Sequence, residues 1–413
     1  MPTFLLRHGS AEAVHAPELR YLRSWVELQA RRAFGELRIA EPSSTAGDLL
    51  DQLRPDDRVL WLRNERVLVA ERTLRELARA LEGAPGGSSG SAQAAAPRST
   101  AEVLGRLEDP PSLYTLRGFE RLEARILDGD AEAARSSESA SSEPPPVVLA
   151  TPRGLEQLLD GEGLDEGDLG GDLPLVRAGL YHEFIDYYGE IRSDVLPHVP
   201  DGVRRILEVG CGRGVTGELL RRELGADVTG VELNPVVARE AATRLDRVVV
   251  GDVEDPGLET EIAHAGPYDL VLALELFEHL ATPEGFLERA ARWLAPGGTI
   301  LLSTPNVGHH SVVEDLLAGR WDYLPIGLLC YTHLRFFTRR TLEDWLERLG
   351  FEDFELIPQL TEGSPRLEAL LEREPLGEGL ALDRESLRTR GFYVLVRPES
   401  PAAKRGNRPS SDP

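Results

Sequence analysis

The chain of 413 residues has only two cysteines, Cys211 and Cys330, almost no lysine, and a formal net charge of −24 with a pI near 4.9. Each scarcity excludes something. Two cysteines, one in a glycine-rich turn and one in a later aromatic segment, make no disulfide framework, which fits a reducing compartment. An acidic balance argues against nucleic acid, tRNA and rRNA included, and against anionic membrane, because phosphate binding needs a basic field. No apolar run approaches the length of a membrane span, and the start carries only the short stretch Phe4 to Leu6. Neither a transmembrane helix nor a signal peptide is expected, and the expected location is the cytoplasm. There is no internal repeat. Scarce lysine beside abundant Ala, Arg, Gly and Glu reflects a GC-rich genome rather than a function.

What is present is enough apolar residue, 41%, for sizeable cores, in a chain long enough for two domains. The most informative segment is Ile206 to Gly214, in which a short apolar strand runs into Gly210, Gly212 and Gly214 and then a helical pattern. Glycines at a strand-to-helix turn admit positive φ and let a ligand approach the backbone. The helix start behind them offers unpaired N–H groups. Val228 to Leu233 reads as a second strand, ending in Glu232, an acid placed to accept two ribose hydroxyls. Val248 to Asp252 is a third. Tyr268 to Leu274 is a fourth, followed by Glu275, Glu278 and His279. Pro296 to Gly298 is a turn, and Thr299 to Ser303 a fifth strand.

The ordered series LEVGCGRG, GVELNP, GD, YDLVLALELFEHL, PGGTILLSTPN and THLRFFTRRTLEDWLERLGF resembles the class I S-adenosylmethionine-dependent methyltransferases. It is most similar to the small-molecule branch with the ubiquinone-biosynthesis O-methyltransferases and the methyltransferases of bacterial glycan clusters. The resemblance covers about residues 180–358, with a final strand near 391–397. It implies a Rossmann-like α/β domain of seven strands over 175–398, with strands six (Phe351 to Ile357) and seven (Phe392 to Arg397) as the reversed edge pair. The tail 399–413 is expected to be disordered.

The resemblance also implies roles. Gly210, Gly212 and Gly214 pass under the methionine part of S-adenosylmethionine, and Glu208 helps hold its ammonium. Glu232 accepts both ribose hydroxyls. Asp252 takes the adenine amino group, with Val253 beside it. Glu275 faces either the methionine amine or the acceptor. His279 is the candidate general base, since an imidazole near pKa 6.5 suits proton removal at neutral pH; the other reading is a capping or packing histidine. The segment Val307 to Phe337 is expected to cover an acceptor pocket containing Asn306, Tyr331, His333 and Arg335, with Arg335 either structural or an anion anchor. Leu180 to Leu196 reads as a helix capping that pocket. His309, His310 and His333 lack ligand spacing, and no metal is expected. The expected reaction is methyl transfer to oxygen of a small molecule or glycan precursor. The rival is a non-catalytic scaffold of the same fold.

Residues 1–160 are expected to form a smaller α/β accessory domain, with 83–99 and 129–146 as low-complexity linkers or loops. Leu5 to Gly9 mimics the opening of histidine phosphatases, but no suitable second histidine follows; chance at a strand end is the other reading. Asp57 to Ala70 resembles the middle of GT-A glycosyltransferases, with Arg63-Asn-Glu-Arg66 where a two-acid metal site belongs. A degenerate domain of that kind, one that binds a nucleotide sugar, and an unrelated α/β domain both remain open.

Overall fold

The protein is described from a computed structural model, over residues 4–8, 17–40, 50–63, 66–82, 93–104, 107, 113–128, 145–159, 175–184, 188–373 and 383–398. The chain divides into two units, Met1–Phe184 and Ile185–Pro413.

The first unit holds a seven-stranded sheet of β1 (Phe4–His8), β2 (Leu37–Ile39), β3 (Arg58–Leu62), β4 (Val67–Val69), β5 (Ala94–Ser99), β6 (Val147–Ala150) and β7 (Leu175–Glu183). Their order is β2-β1-β3-β6-β5-β7-β4. β1 pairs in parallel with β2 and β3, whereas β6 runs antiparallel to β3 and β5. The apolar stripe Leu74, Leu77 and Leu81 of the helix Glu71–Glu82 is buried, as its spacing requires.

Two expectations change here. Ala94 to Ser99, at the end of the expected linker 83–99, is strand β5, and Ala94, Ala95 and Ala96 are buried. Alanine reads as linker by composition, yet its small side chain fits an interior strand flanked by β6 and β7. The start of the segment expected as a capping helix, Leu180 to Glu183, belongs to β7, which pairs with β4 and β5. Among the described residues of that segment, only the part from Ser193 onward is helical, in the 3₁₀ turn Ser193–His198. Asn64, Glu65, Gly9 and the tail 399–413 lie outside the described residues.

The second unit is a sheet of β8 (Arg205–Val209), β9 (Asp227–Glu232), β10 (Arg247–Val250), β11 (Tyr268–Ala273), β12 (Leu294–Pro305), β13 (Phe354–Leu360) and β14 (Thr389–Val396). Its order is β10-β9-β8-β11-β12-β14-β13. The first five are parallel, and β14 runs antiparallel between β12 and β13. The order reverses at β8, so the carboxyl ends of β8 and β11 flank the switch point where open α/β sheets bind ligands. Apolar clusters line both faces of the sheet: Leu207, Val209, Val271 and Phe286 in one, Ile206, Leu220, Val228 and Leu272 in the other. The Pro296–Gly298 turn falls within β12, where the register with β11 jumps from Tyr268/Leu294 to Leu270/Thr299.

Candidate functional site

At the carboxyl end of β8 the three glycines have φ of 74°, 53° and 76°, the left-handed region that favours glycine. At Gly212 a Cβ would also stand 2.7 Å from the Tyr188 carbonyl oxygen. The Gly210 and Cys211 N–H groups both donate to the Val231 carbonyl, and Gly214 caps the helix Val215–Leu224. Glu232, buried at the end of β9, accepts the Gly212 N–H on Oε2 at 2.9 Å and the Asn234 N–H on Oε1 at 2.8 Å. Each oxygen keeps a lone pair for a hydroxyl. The next residue, Leu233, is 67% exposed, and Val250 at the end of β10 is 51% exposed. Asp252 is exposed and folds a turn through the Glu254 N–H at 2.8 Å, while Val253 is buried. A carboxylate with lone pairs to spare, apolar faces and the exposed backbone at Gly210 suit an adenosyl group carrying an amino-acid tail.

Glu208 lies elsewhere than expected. It is buried behind the loop, its Oε2 without a hydrogen bond, where a Cβ on Gly217 would stand 2.4 Å away. Burial pushes its pKa up to about 8, so at neutral pH it is largely uncharged and packs under the helix.

The residue that sequence reasoning missed is Arg192. Its N–H donates to Thr216 Oγ1 at 3.1 Å, which ties it to the first turn behind the glycines. Its guanidinium holds Asp194 and donates to the Tyr393 hydroxyl at 2.8 Å; Nη1 faces Glu275 at 3.6 Å. It stood in a stretch expected to be helical, with no motif around it.

At the carboxyl end of β11, Glu275 has φ 49°, a left-handed backbone at a non-glycine position, and such outliers gather at functional sites. Its N–H donates to Ser303 Oγ at 2.9 Å, and that hydroxyl donates back to Glu275 Oε1 at 2.7 Å. Leu276 lies 3.4 Å from where a Gly210 Cβ would be, so this end abuts the glycine loop. Glu278 is 0% exposed, and neither carboxylate oxygen has a hydrogen bond. Burial, and the neighbouring Glu275 charge, push its carboxyl well above the usual range. His333 Nε2 lies 3.8 Å from Glu278 Oε1, and the His279 and His333 rings meet edge to face at 4.7 Å. His333 Nδ1 contacts the Leu328 carbonyl at 3.3 Å. A carbonyl only accepts, so Nδ1 carries the proton and the Nε2 lone pair faces Glu278. Burial lowers the pKa of His279, and burial with the His279 charge lowers that of His333 to about 3. Both rings are therefore neutral at physiological pH.

One ligand atom from each of Glu278, His279 and His333 lies within 4.8 Å of the others. This set differs from the three histidines weighed in the sequence. His309 caps the helix His310–Leu317 and contacts Ser311 and Thr361. Asn306, expected in the acceptor pocket, is fully buried: its amide donates to the Ser386 and Thr389 carbonyls and its oxygen accepts from Gly308. It locks β12 to the approach of β14 instead. Arg335 donates to the carbonyls of Leu334 and Ala281, the structural alternative of the two. Tyr331 is half-buried, its N–H on the Leu324 carbonyl.

Residues 181–356 match the family model of the methyltransferase domain. This segment is a methyltransferase domain. The class I S-adenosylmethionine-dependent type suggested by the motifs is the type the comparisons support. The chain is similar to a ubiquinone biosynthesis O-methyltransferase of Azorhizobium caulinodans, 36% identical over 157 residues, covering 37% of this chain and 60% of that one. A counterpart from Psychrobacter arcticus is 27% identical over 158 residues, covering 37% and 61%. The match thus spans about three fifths of these relatives. Among solved structures, a SAM-dependent methyltransferase of Archaeoglobus fulgidus aligns with 50% of this chain and 92% of its own, at 20% identity and a TM-score of 0.36. No helix among the described residues is long and apolar enough to cross a membrane.

Proposed function

We propose that the second unit transfers the methyl group of S-adenosylmethionine to an oxygen of a small molecule or glycan precursor. The observation that carries this reading is the meeting of two half-sites. The glycine loop with Glu232 abuts, through Gly210 and Leu276, the β11 end that bears Glu275, Glu278 and His279. In the first half Glu232 takes the ribose hydroxyls, Leu233 and Val253 flank the adenine, and Arg192 Nη1 offers a cation to the methionine carboxylate. In the second half a neutral His279 accepts the acceptor's proton while the methyl group moves in line. Alignment supplies much of the rate, since the sulfonium is already activated.

A second reading concerns that second half. Glu278 Oε1 and His333 Nε2 stand 3.8 Å apart, and a carboxylate that gives up its proton to a metal suits, together with two imidazoles, a divalent transition ion. Glu278, His279 and His333 would hold the ion, which would supply Lewis acidity toward the acceptor hydroxyl. His279 would then be a ligand rather than the base.

The test is calorimetric titration of S-adenosylhomocysteine into the full chain, followed by a methylation screen over phenols, catechols and sugars with and without chelator. No binding to the folded chain would return the scaffold reading. Binding and turnover unaffected by chelator leave His279 as the base, and turnover restored by added divalent ion makes it a ligand.

A further inference from the structure

We propose that Glu254 and Arg335 are positioning residues: they clamp the Ala281–Thr282 peptide from two sides and relay occupation of the Asp252–Val253 loop to the His279–His333 pair. The inference rests on the reading of that loop as the adenine end of the cofactor site.

Glu254 follows the loop directly, and its N–H closes the turn on Asp252 Oδ1. Its carboxylate crosses to the segment after His279. Oε2 accepts the Ala281 N–H at 2.8 Å, and Oε1 accepts both the N–H and the hydroxyl of Thr282 at 2.6 Å. Burial works against the charge on Glu254, but these donors and Arg289 outweigh it and hold the carboxyl below its usual range. Arg289, on the helix Pro283–Trp293, donates to the Val253 carbonyl at 3.2 Å and closes the same junction.

The other side is held from the segment that carries His333. Arg335 Nη2 donates to the Ala281 carbonyl at 2.7 Å. The N–H groups of Leu334 and Arg335 donate to the Glu278 carbonyl at 2.8 and 3.1 Å. The stretch Glu278 to Thr282, with His279 inside it, is thereby held by its amides from the adenine loop and by its carbonyls from the residues after His333. Misplacement of a reacting group by about 1 Å can cost about 10²-fold in rate, so a clamp here bears on His279 although neither residue contacts the reacting atoms.

Adenosine separates relay from direct contact, because it fills the adenine and ribose end and lacks the amino-acid tail that would reach β11. Hydrogen exchange of the peptide spanning Phe277 to Thr282 is measured by mass spectrometry in the full chain, with and without saturating adenosine. In the wild type, adenosine should slow exchange at Ala281 and Thr282 by about tenfold, a local-opening effect. In Glu254→Ala that slowing should vanish, while adenosine affinity stays within about threefold. Glu254→Gln, which gives up one acceptor oxygen, should show a reduced slowing, and it carries the test if the alanine variant fails to fold. A role in stability alone would lower the melting temperature and leave the adenosine effect intact, which overturns the proposal. So does adenosine that binds the wild type without slowing exchange. If neither adenosine nor S-adenosylhomocysteine binds, the cofactor reading falls first and the relay with it.

Discussion

Glu232 Oε2 accepts the Gly212 N–H at 2.9 Å, so the acid that ends β9 also fixes the middle of the glycine loop after β8. One carboxylate shapes the loop, and in the proposed reading the same group takes the ribose hydroxyls. Burial raises its pKa, opposed by the N–H donors of Asn234 and Gly212, so the donors that shape the loop also favour its charged form.

Glu232→Ala should therefore weaken S-adenosylhomocysteine binding by roughly 10- to 100-fold, the scale of one or two hydrogen bonds to a charged group at about 1.5–3 kcal/mol. Calorimetry reads this directly. An unchanged affinity would place the cofactor elsewhere.

Arg192→Gln should weaken S-adenosylhomocysteine by about tenfold, within the range for a charge-assisted hydrogen bond, and leave adenosine within about threefold. Equal losses for both ligands would mean that Arg192 supports the loop through Thr216 and makes no contact with the amino-acid tail.

Glu278→Gln keeps the shape of a buried side chain whose oxygens lack hydrogen bonds. If a divalent ion sits against Glu278, His279 and His333, the variant should bind cobalt at least about tenfold more weakly, the size of effect known when a metal's protein partners are lost. The absorption of the cobalt-loaded chain measures this without any acceptor. Cobalt bound equally by both chains sinks the metal reading.

The buried Glu208 makes stability depend on pH. Its folded pKa of about 8 lies above the ordinary carboxyl value, so between roughly pH 4.5 and 8 the folded chain holds a proton that the unfolded chain has released. Its contribution is fully present below that window and is lost as pH rises through it, by on the order of a few kcal/mol. Glu208→Gln should flatten the melting temperature between pH 5 and 9. A parallel pH profile for variant and wild type would show that Glu208 stays ionised.

Much of the second unit is legible in the sequence because its signals are local. Apolar strands set the order of β8 to β12 along the chain, with a glycine or an acid at or just after the ends of β8 to β11, and the loop glycines must be glycine because their φ is positive. Chemistry that depends on distance in space was less legible. Glu278 and His279 are neighbours in the chain, but His333 joins them only because the segment after it binds the Glu278 carbonyl. Asn306 looked like a pocket residue beside β12, yet the turn before β14 consumes its whole amide.

Short-range sequence by itself determined the strands, the glycine turn and the strand-end acids, since backbone conformation and side-chain period act over a few residues. Only the tertiary structure decided that Ala94–Ala96 are sheet core rather than linker, that Leu180–Glu183 is strand rather than helix, and that Arg192 stands opposite Glu275. In each case partners far away in sequence supply the hydrogen bonds or the burial, and those free energies exceed the weak local preference of alanine for helix or of a short apolar segment for either state.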